Sequence, residues 1–406
     1  MSDEVEFAGS AGMLAGLIAL RGDGRTTVEP LFPPEEIALS HWYRITPSPA
    51  GLGIPFVRGG GTAPQVWPAR GPRDEAAGRI DATDDRPTPS WLSGQRYLAP
   101  APDGIDAIAG WARPGGAGQA VRLAVVEHRS VSAHEDLPAD RIAIERRGSG
   151  SPAALGVLIA TDDGRGVTGI VPAVPWTIVV GEDRGSLAQA IERAAHDLRA
   201  GDVLLIDVEG ELASDRAEGA RLPVEYWPSS FAVIQAATAR GVIVVEAAGD
   251  DGIDLDDPRY GRAFDRRVRD SGAILVGAGA PAGPAARSRL GFSNHGARVD
   301  LQGWGAQVTT IGGGDLQRTR DWDSRARDYT AVAGGTGTAA AIVAGAAAQI
   351  ASVYRAAHGE AIAPAQLRAL LVATGTPQVD APGAPLSEHI GPLPNVQAAL
   401  AAIDRR

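Results

Sequence analysis

The side chains able to carry charge, protons or metal ions gather in a few places. Asp250-Asp251-Gly252-Ile253-Asp254-Leu255-Asp256-Asp257 is a dense run of oxygen donors. Carboxylates so spaced can ligate calcium, but the run lacks the alternate-position acids of an EF-hand loop, and the plainer expectation is a turn with solvated and helix-capping carboxylates. His128 and the cluster His134-Glu135-Asp136 bring nitrogen and oxygen donors into a short stretch, the raw material of a zinc site or a general base. Glu246 closes an apolar run near Asp250; burial and a neighbouring charge would raise its pKa, whereas pairing with an arginine would make it structural. His295, in Phe292-Ser293-Asn294-His295-Gly296, is a further candidate base whose ordinary role would be hydrogen bonding in a turn.

Composition excludes other chemistry. The chain has no cysteine, which removes disulfides, thiolate nucleophiles and cysteine-based zinc sites together. A formal net charge of −11 repels a phosphate backbone or an anionic lipid surface, so neither nucleic acid nor membrane is expected as a partner. No motif demands a metal or an organic cofactor, and none is expected. Met1-Ser2-Asp3-Glu4 lacks the basic start of a secretory signal and the apolar run from Gly12 to Leu20 is too short to span a bilayer, which points to the cytoplasm.

The elements that must position these residues follow from pattern. Of 406 residues, 44% are hydrophobic and 21% charged, ample for a packed core. Residues 1–90, rich in Gly and Pro, read as a small N-terminal lobe with strand-like pieces at Leu17 to Leu20 and His41 to Ile45 and a linker from Gly71 to Pro89; 91–406 reads as the main domain. There, short apolar runs (Val121 to Val126, Trp176 to Val180, Val203 to Val208, Gly241 to Glu246, Ala273 to Val276) alternate with helical stretches. Such alternation implies an α/β fold, a doubly wound parallel sheet with helices on both faces. Ser186 is placed to cap a helix reaching Arg199, and Ser230 to cap one ending before Gly241. The Ala- and Gly-rich stretch from Thr338 to Ala357 reads as a central helix lying close against the sheet.

Four segments in order resemble the subtilisin-like (S8) serine peptidases, bacterial branch. Gly94 to Ala107 leads into Val121-Arg122-Leu123-Ala124-Val125-Val126-Glu127 and His134-Glu135-Asp136-Leu137, similar to the region around the catalytic Asp. Ala154-Leu155-Gly156-Val157-Leu158-Ile159-Ala160 with Gly166 to Pro172 resembles the helix after the catalytic His. Val244-Val245-Glu246-Ala247-Ala248-Gly249 resembles the strand delivering the oxyanion-hole Asn. Gly335-Thr336-Gly337-Thr338-Ala339-Ala340-Ala341-Ile342-Val343-Ala344-Gly345 resembles the nucleophile turn and its buried helix. The order Asp, His, Asn, Ser separates this family from other triad enzymes.

The resemblance implies that the framing residues persist while the chemistry does not. The His position falls on Gly150, the nucleophile on Gly337, the oxyanion-hole Asn on Asp250, and the catalytic Asp on Val125; a shift of two residues places Glu127 there instead, on the same side of the strand. Gly337 supplies no hydroxyl, Gly150 no base, and a carboxylate at Asp250 would repel a developing oxyanion. Ser149, Ser151, Thr336 and Thr338 neighbour the emptied positions, but a hydroxyl without a base is inert.

The expected function is therefore that of an inactive homologue, a pseudopeptidase whose former substrate cleft binds a peptide or protein. The alternatives are a repurposed enzyme of peptide or natural-product maturation using Glu127, Glu246, Asp250 or His295, and a structural or assembly subunit. The sequence sets no oligomeric state.

Overall fold

In a computed structural model the described residues are 5–8, 27–30, 42–46, 66–68, 87–128, 133–145, 152–181, 186–212, 220–318 and 326–405. Strands β1 (Val5–Ala8), β2 (Thr27–Pro30), β3 (Trp42–Thr46) and β4 (Val66–Pro68) form an antiparallel sheet of order β2-β3-β1-β4. The strand expected from His41 to Ile45 is β3; the piece from Leu17 to Leu20 lies outside the described residues.

The main sheet contains β5 (Leu123–Glu127), β6 (Ile142–Ile144), β7 (Thr177–Gly181), β8 (Val203–Asp207), β11 (Ile243–Ala247), β12 (Ile274–Gly279) and β13 (Leu301–Trp304), in the order β13-β12-β11-β8-β5-β7-β6. Every pairing in it is parallel. Two hairpins accompany it, β9 (Gly210–Leu212) with β10 (Ala220–Leu222) and β14 (Val308–Ile311) with β15 (Tyr329–Ala333).

Helices cover both faces, as buried parallel strands require. On one face, α2 (Ala153–Ile159) and α5 (Thr336–His358), followed by α6 (Pro364–Thr374) and α7 (Val396–Asp404), pack on Leu123, Val125, Val203, Leu205, Ile243 and Val245. On the other, α3 (Leu187–His196) and α4 (Pro228–Ala239) pack on Ala124, Val126, Leu204, Ile206 and Val244. The remaining helix, α1 (Ala107–Trp111), joins the α5 side. The period-two alternation of side chains thus assigns each strand residue to a face.

Ser186 caps α3 with a full capping box, its hydroxyl accepting from Gln189 N while the Gln189 side chain accepts from Ser186 N; the helix stops at His196, short of Arg199. The expected Ser230 cap is corrected: α4 starts at Pro228, with proline in its first turn, and Ser230 lies inside the helix. The central helix begins two residues earlier than expected, so Gly337 falls in its first turn. Helix α5 is long and apolar enough to cross a membrane, but it is almost wholly buried inside the protein. It rests on β13 backbone to backbone: a Cβ added at Gly303 would lie 2.2 Å from the Ala339 carbonyl oxygen.

Candidate functional site

The sheet reverses its order around β5, with β7 and β6 to one side and β8, β11, β12 and β13 to the other. In open parallel sheets the crevice at the carboxyl ends of strands flanking such a reversal is where ligands bind. Two acids stand at this point. Glu127 ends β5, Asp207 ends β8, and the two are direct neighbours in register. Both continue the side-chain series that faces α5. Glu127 is 8% exposed and its Oε1 has no hydrogen-bond partner. Asp207 reaches under the first turn of α5, where a Cβ on Gly337 would lie 1.7 Å from its Oδ1.

Two more carboxylates close on the same turn. Asp250 Oδ1 accepts from the Thr336 N–H at 2.8 Å, so its charge occupies the positive end of α5. Glu209 Oε1 accepts from Thr336 Oγ1 at 3.3 Å, and that hydroxyl in turn accepts from Gly249 N at 3.1 Å. Arg221 lies 4.0 Å from Glu209 Oε2 and forms its shorter bridge, 2.7 Å, with Asp251. Asn294 holds the loop that carries Asp250, donating to Ala248 O at 2.7 Å and Arg221 O at 2.9 Å and accepting from Ile253 N at 2.8 Å.

Like charges so close, and removed from water, favour protons. Burial, and secondarily the charge of Asp207, pushes Glu127 well above the usual carboxylate range. Asp207 rises to about 7 through burial together with Glu209 and Asp250, an effect that His128 opposes. Glu209 is raised by burial and by Asp250, against Arg221 and His128. Near neutrality the group therefore holds both protonated and ionised carboxyls, a state suited to exchanging a proton or to receiving positive charge.

The structure separates the sequence candidates. Val125 is corrected: it is wholly buried in the middle of β5, part of the apolar core, and Glu127 two residues on reaches the crevice. Asp250 and Gly337 do meet there. Gly150, Ser149 and Ser151 lie outside the described residues. Glu246 is corrected as a cleft residue, because the alternation of β11 turns it to the opposite face. There it accepts from Glu225 N at 2.9 Å beside a buried fork in which Arg298 binds Glu225 at 2.6 and 2.8 Å and Asp300 at 2.7 Å. Burial and the Glu225 charge raise Glu246 well above its usual range; burial would raise Glu225 as well, but Arg298 holds it below. His295 is not gathered into the cluster either. It is half-buried among Arg289, Asp254, Glu388 and Asp256.

The remaining candidates have structural partners. His134 Nε2 lies 3.0 Å from Asp328 O, Asp136 accepts from Val167 N at 2.8 Å, and Glu135 pairs with Arg327 at 3.3 Å. In the acidic run, Asp254 accepts from Asp256 N, Asp256 from Ala297 N and Asp257 from Arg259 N. Thr336 is fully buried, and Thr338 donates to Gly334 O at 2.8 Å. Among the described residues, no group of three or more His, Asp or Glu is arranged to hold a metal ion. Asp207 and Glu209 escaped sequence reasoning, although an acid closing the otherwise apolar run from Val203 was a usable signal.

The comparisons with known proteins agree on the fold. The model of the subtilase family (Peptidase_S8) matches residues 150–391, more than half of the chain. Among solved structures, the epidermin leader peptide processing serine protease EpiP from Staphylococcus aureus is 16% identical with a TM-score of 0.61, covering 100% of this chain and 99% of its own. A protease from Pseudoalteromonas arctica PAMC 21717 is 18% identical with a TM-score of 0.54, covering 78% and 99%. The patellamide maturation protease PatA is 20% identical with a TM-score of 0.52, covering 71% and 98%. At such identities the likeness is one of fold. No curated protein matches the sequence.

Proposed function

Because the chain belongs to the subtilase family, we propose that it is a member that does not hydrolyse peptides and instead binds a peptide or protein in the cleft beneath α5. One observation carries this reading: the space a nucleophilic side chain at position 337 would need is filled by the Asp207 carboxylate. Two others support it. The positive end of α5 is engaged by Asp250, leaving a carboxylate where acyl transfer needs a donor for an oxyanion. The hydroxyl that the described residues bring to the cluster, on Thr336, is buried and bonded on both sides.

The test has two halves. Purified protein is expected neither to cleave casein and fluorogenic peptides nor to take up a fluorophosphonate, since among the described residues no activated serine stands in the cleft. Peptides selected from a random library are expected to shield Glu127 and Asp207 from carbodiimide modification read by mass spectrometry. Labelling by the fluorophosphonate, or selected peptides that shield other carboxylates only, overturns the reading.

A second reading is a repurposed enzyme. It draws on the Glu127–Asp207 pair, whose raised pKa values suit acid–base work near neutrality, and on fold neighbours that include maturation proteases for patellamide and prenylagaramide. Turnover of a candidate precursor peptide, lost in Glu127→Gln, would favour it over plain binding.

A further inference from the structure

Among the described residues, the crevice carries more acidic groups than cations to answer them. Asp207, Glu209 and Asp250 converge on the first turn of α5, with Glu127 beside Asp207 in register, and among the described residues Arg221 and His128 are the positive or protonatable groups that act on them. Arg221 is committed first to Asp251, which it grips through the backbone N–H, Nε and Nη2, and it reaches Glu209 only at 4.0 Å. A second observation points to a ligand: Glu127 is more than nine-tenths buried, belongs to the series facing α5, and leaves Oε1 without a partner. A buried carboxylate oxygen with nothing to accept from is a costly arrangement that a donor from outside would relieve.

We propose that this crevice is the receptor for an organic cation, a guanidinium or ammonium group, seated between Glu127 and Asp207 with Glu209 and Asp250 at its rim. The inference rests on the binding reading above and specifies what the bound peptide must present: a basic side chain or a free amino terminus. Several carboxylates grouped at the ends of neighbouring strands offer acceptors in more than one direction, which a multi-donor cation can use together. A bare divalent ion fits less well, because the described residues contain no constellation with metal-ligand spacing. Placing the positive group there also explains how the acids tolerate one another. The cation would draw Asp207 and Glu127 towards their ionised forms, so it competes with protons for the same oxygens. The charged neighbours push in known directions: Glu209 and Asp250 favour the proton of Asp207, His128 opposes it, and Asp207 in turn favours the proton of Glu127. Binding should therefore strengthen as pH rises through about 7, the value to which Asp207 is raised.

The test uses the full chain and two isosteric probes, butylguanidine and butylurea, titrated by ligand-observed NMR between about pH 5.5 and about pH 8.5. Butylguanidine should bind at least about tenfold more tightly than butylurea, and its affinity should drop by up to about tenfold per pH unit below pH 7 for each proton displaced. Asp207→Asn and, independently, Glu209→Gln should each lower the affinity for butylguanidine several-fold while the far-UV circular dichroism stays that of the parent. Equal binding of the two probes, pH-independent binding of butylguanidine, or binding of manganese but not of butylguanidine at an Asp207-dependent site would overturn the proposal. If library peptides bind in the cleft without any preference for basic residues and butylguanidine does not bind, the cationic receptor is refuted while the binding function stands. If butylguanidine binds as described and no peptide does, the receptor stands and the peptide function falls.

Discussion

Asp207 and Gly337 share one space: the carboxylate of the first stands 1.7 Å from where a Cβ of the second would be, so each residue permits the other. The end of β8 and the first turn of the central helix meet at this contact, and a substitution on either side must be judged with its partner.

Gly337→Ser should therefore not rebuild a nucleophile. The new side chain collides with Asp207, and overpacking of this kind costs about 1–3 kcal/mol. Thermal unfolding should show the loss, and Asp207→Ala in the same chain should restore most of it. Fluorophosphonate labelling is expected to stay absent in both variants.

Asp207→Asn should change the pH dependence of stability. With a folded-state pKa of about 7, above its ordinary value of 3.8, the wild-type carboxyl adds stability that is complete in acid and is lost as pH rises from about 4 to 7. The asparagine does not titrate. The variant should thus gain on the parent as pH rises through that window, by about 1–2 kcal/mol at about pH 8 once solvent screening at the cleft mouth is allowed for. Chemical denaturation at several pH values measures the difference, in which the opposing contribution of His134, lowered to about 4 mainly by burial, cancels.

Thr336→Val removes a hydroxyl that serves two partners. Gly249 N–H would be left buried without an acceptor, and the loss should be about 1–3 kcal/mol. Thr336→Ser keeps the oxygen and should retain most of the stability in the same denaturation experiment.

On the far face of the sheet, Arg298→Met should be far more damaging than Glu246→Gln. Removing Arg298 takes both guanidinium bonds from the buried Glu225, while Asp300 keeps its bridge to Arg266, a change of about 3–5 kcal/mol. Burial and the Glu225 charge push Glu246 towards its neutral form, so its amide should cost under about 1 kcal/mol. Urea unfolding of the two variants side by side provides the ranking.

The parallel sheet was readable in the sequence because each buried strand is a short apolar run: β5, β7, β8, β11 and β12 all begin within two residues of where that pattern puts them. Strands with weaker runs escaped, among them β13, Leu301–Trp304, which includes Gln302 and Gly303. The crevice was legible only in part. Gly337 and Asp250 could be found by their framing residues, and the position of Val125 by counting, but which of two same-face residues reaches the strand end is decided by where the strand stops. Glu246 shows the complementary limit. It lies four residues before Asp250, and the strand geometry sends its side chain to the other side of the sheet. The meeting of Asp207 with Gly337 joins positions 130 residues apart and leaves no local trace in either segment.

The backbone contact between Gly303 and Ala339 has a mechanical meaning. With main chain resting on main chain one turn beyond Thr336, no compressible side-chain layer separates α5 from β13 there. The contact behaves as an anvil and not as a cushion. A visiting group must arrive in nearly the shape it will keep, and amide exchange in the first turns of α5 should be among the slowest in the molecule, whether or not the crevice is filled.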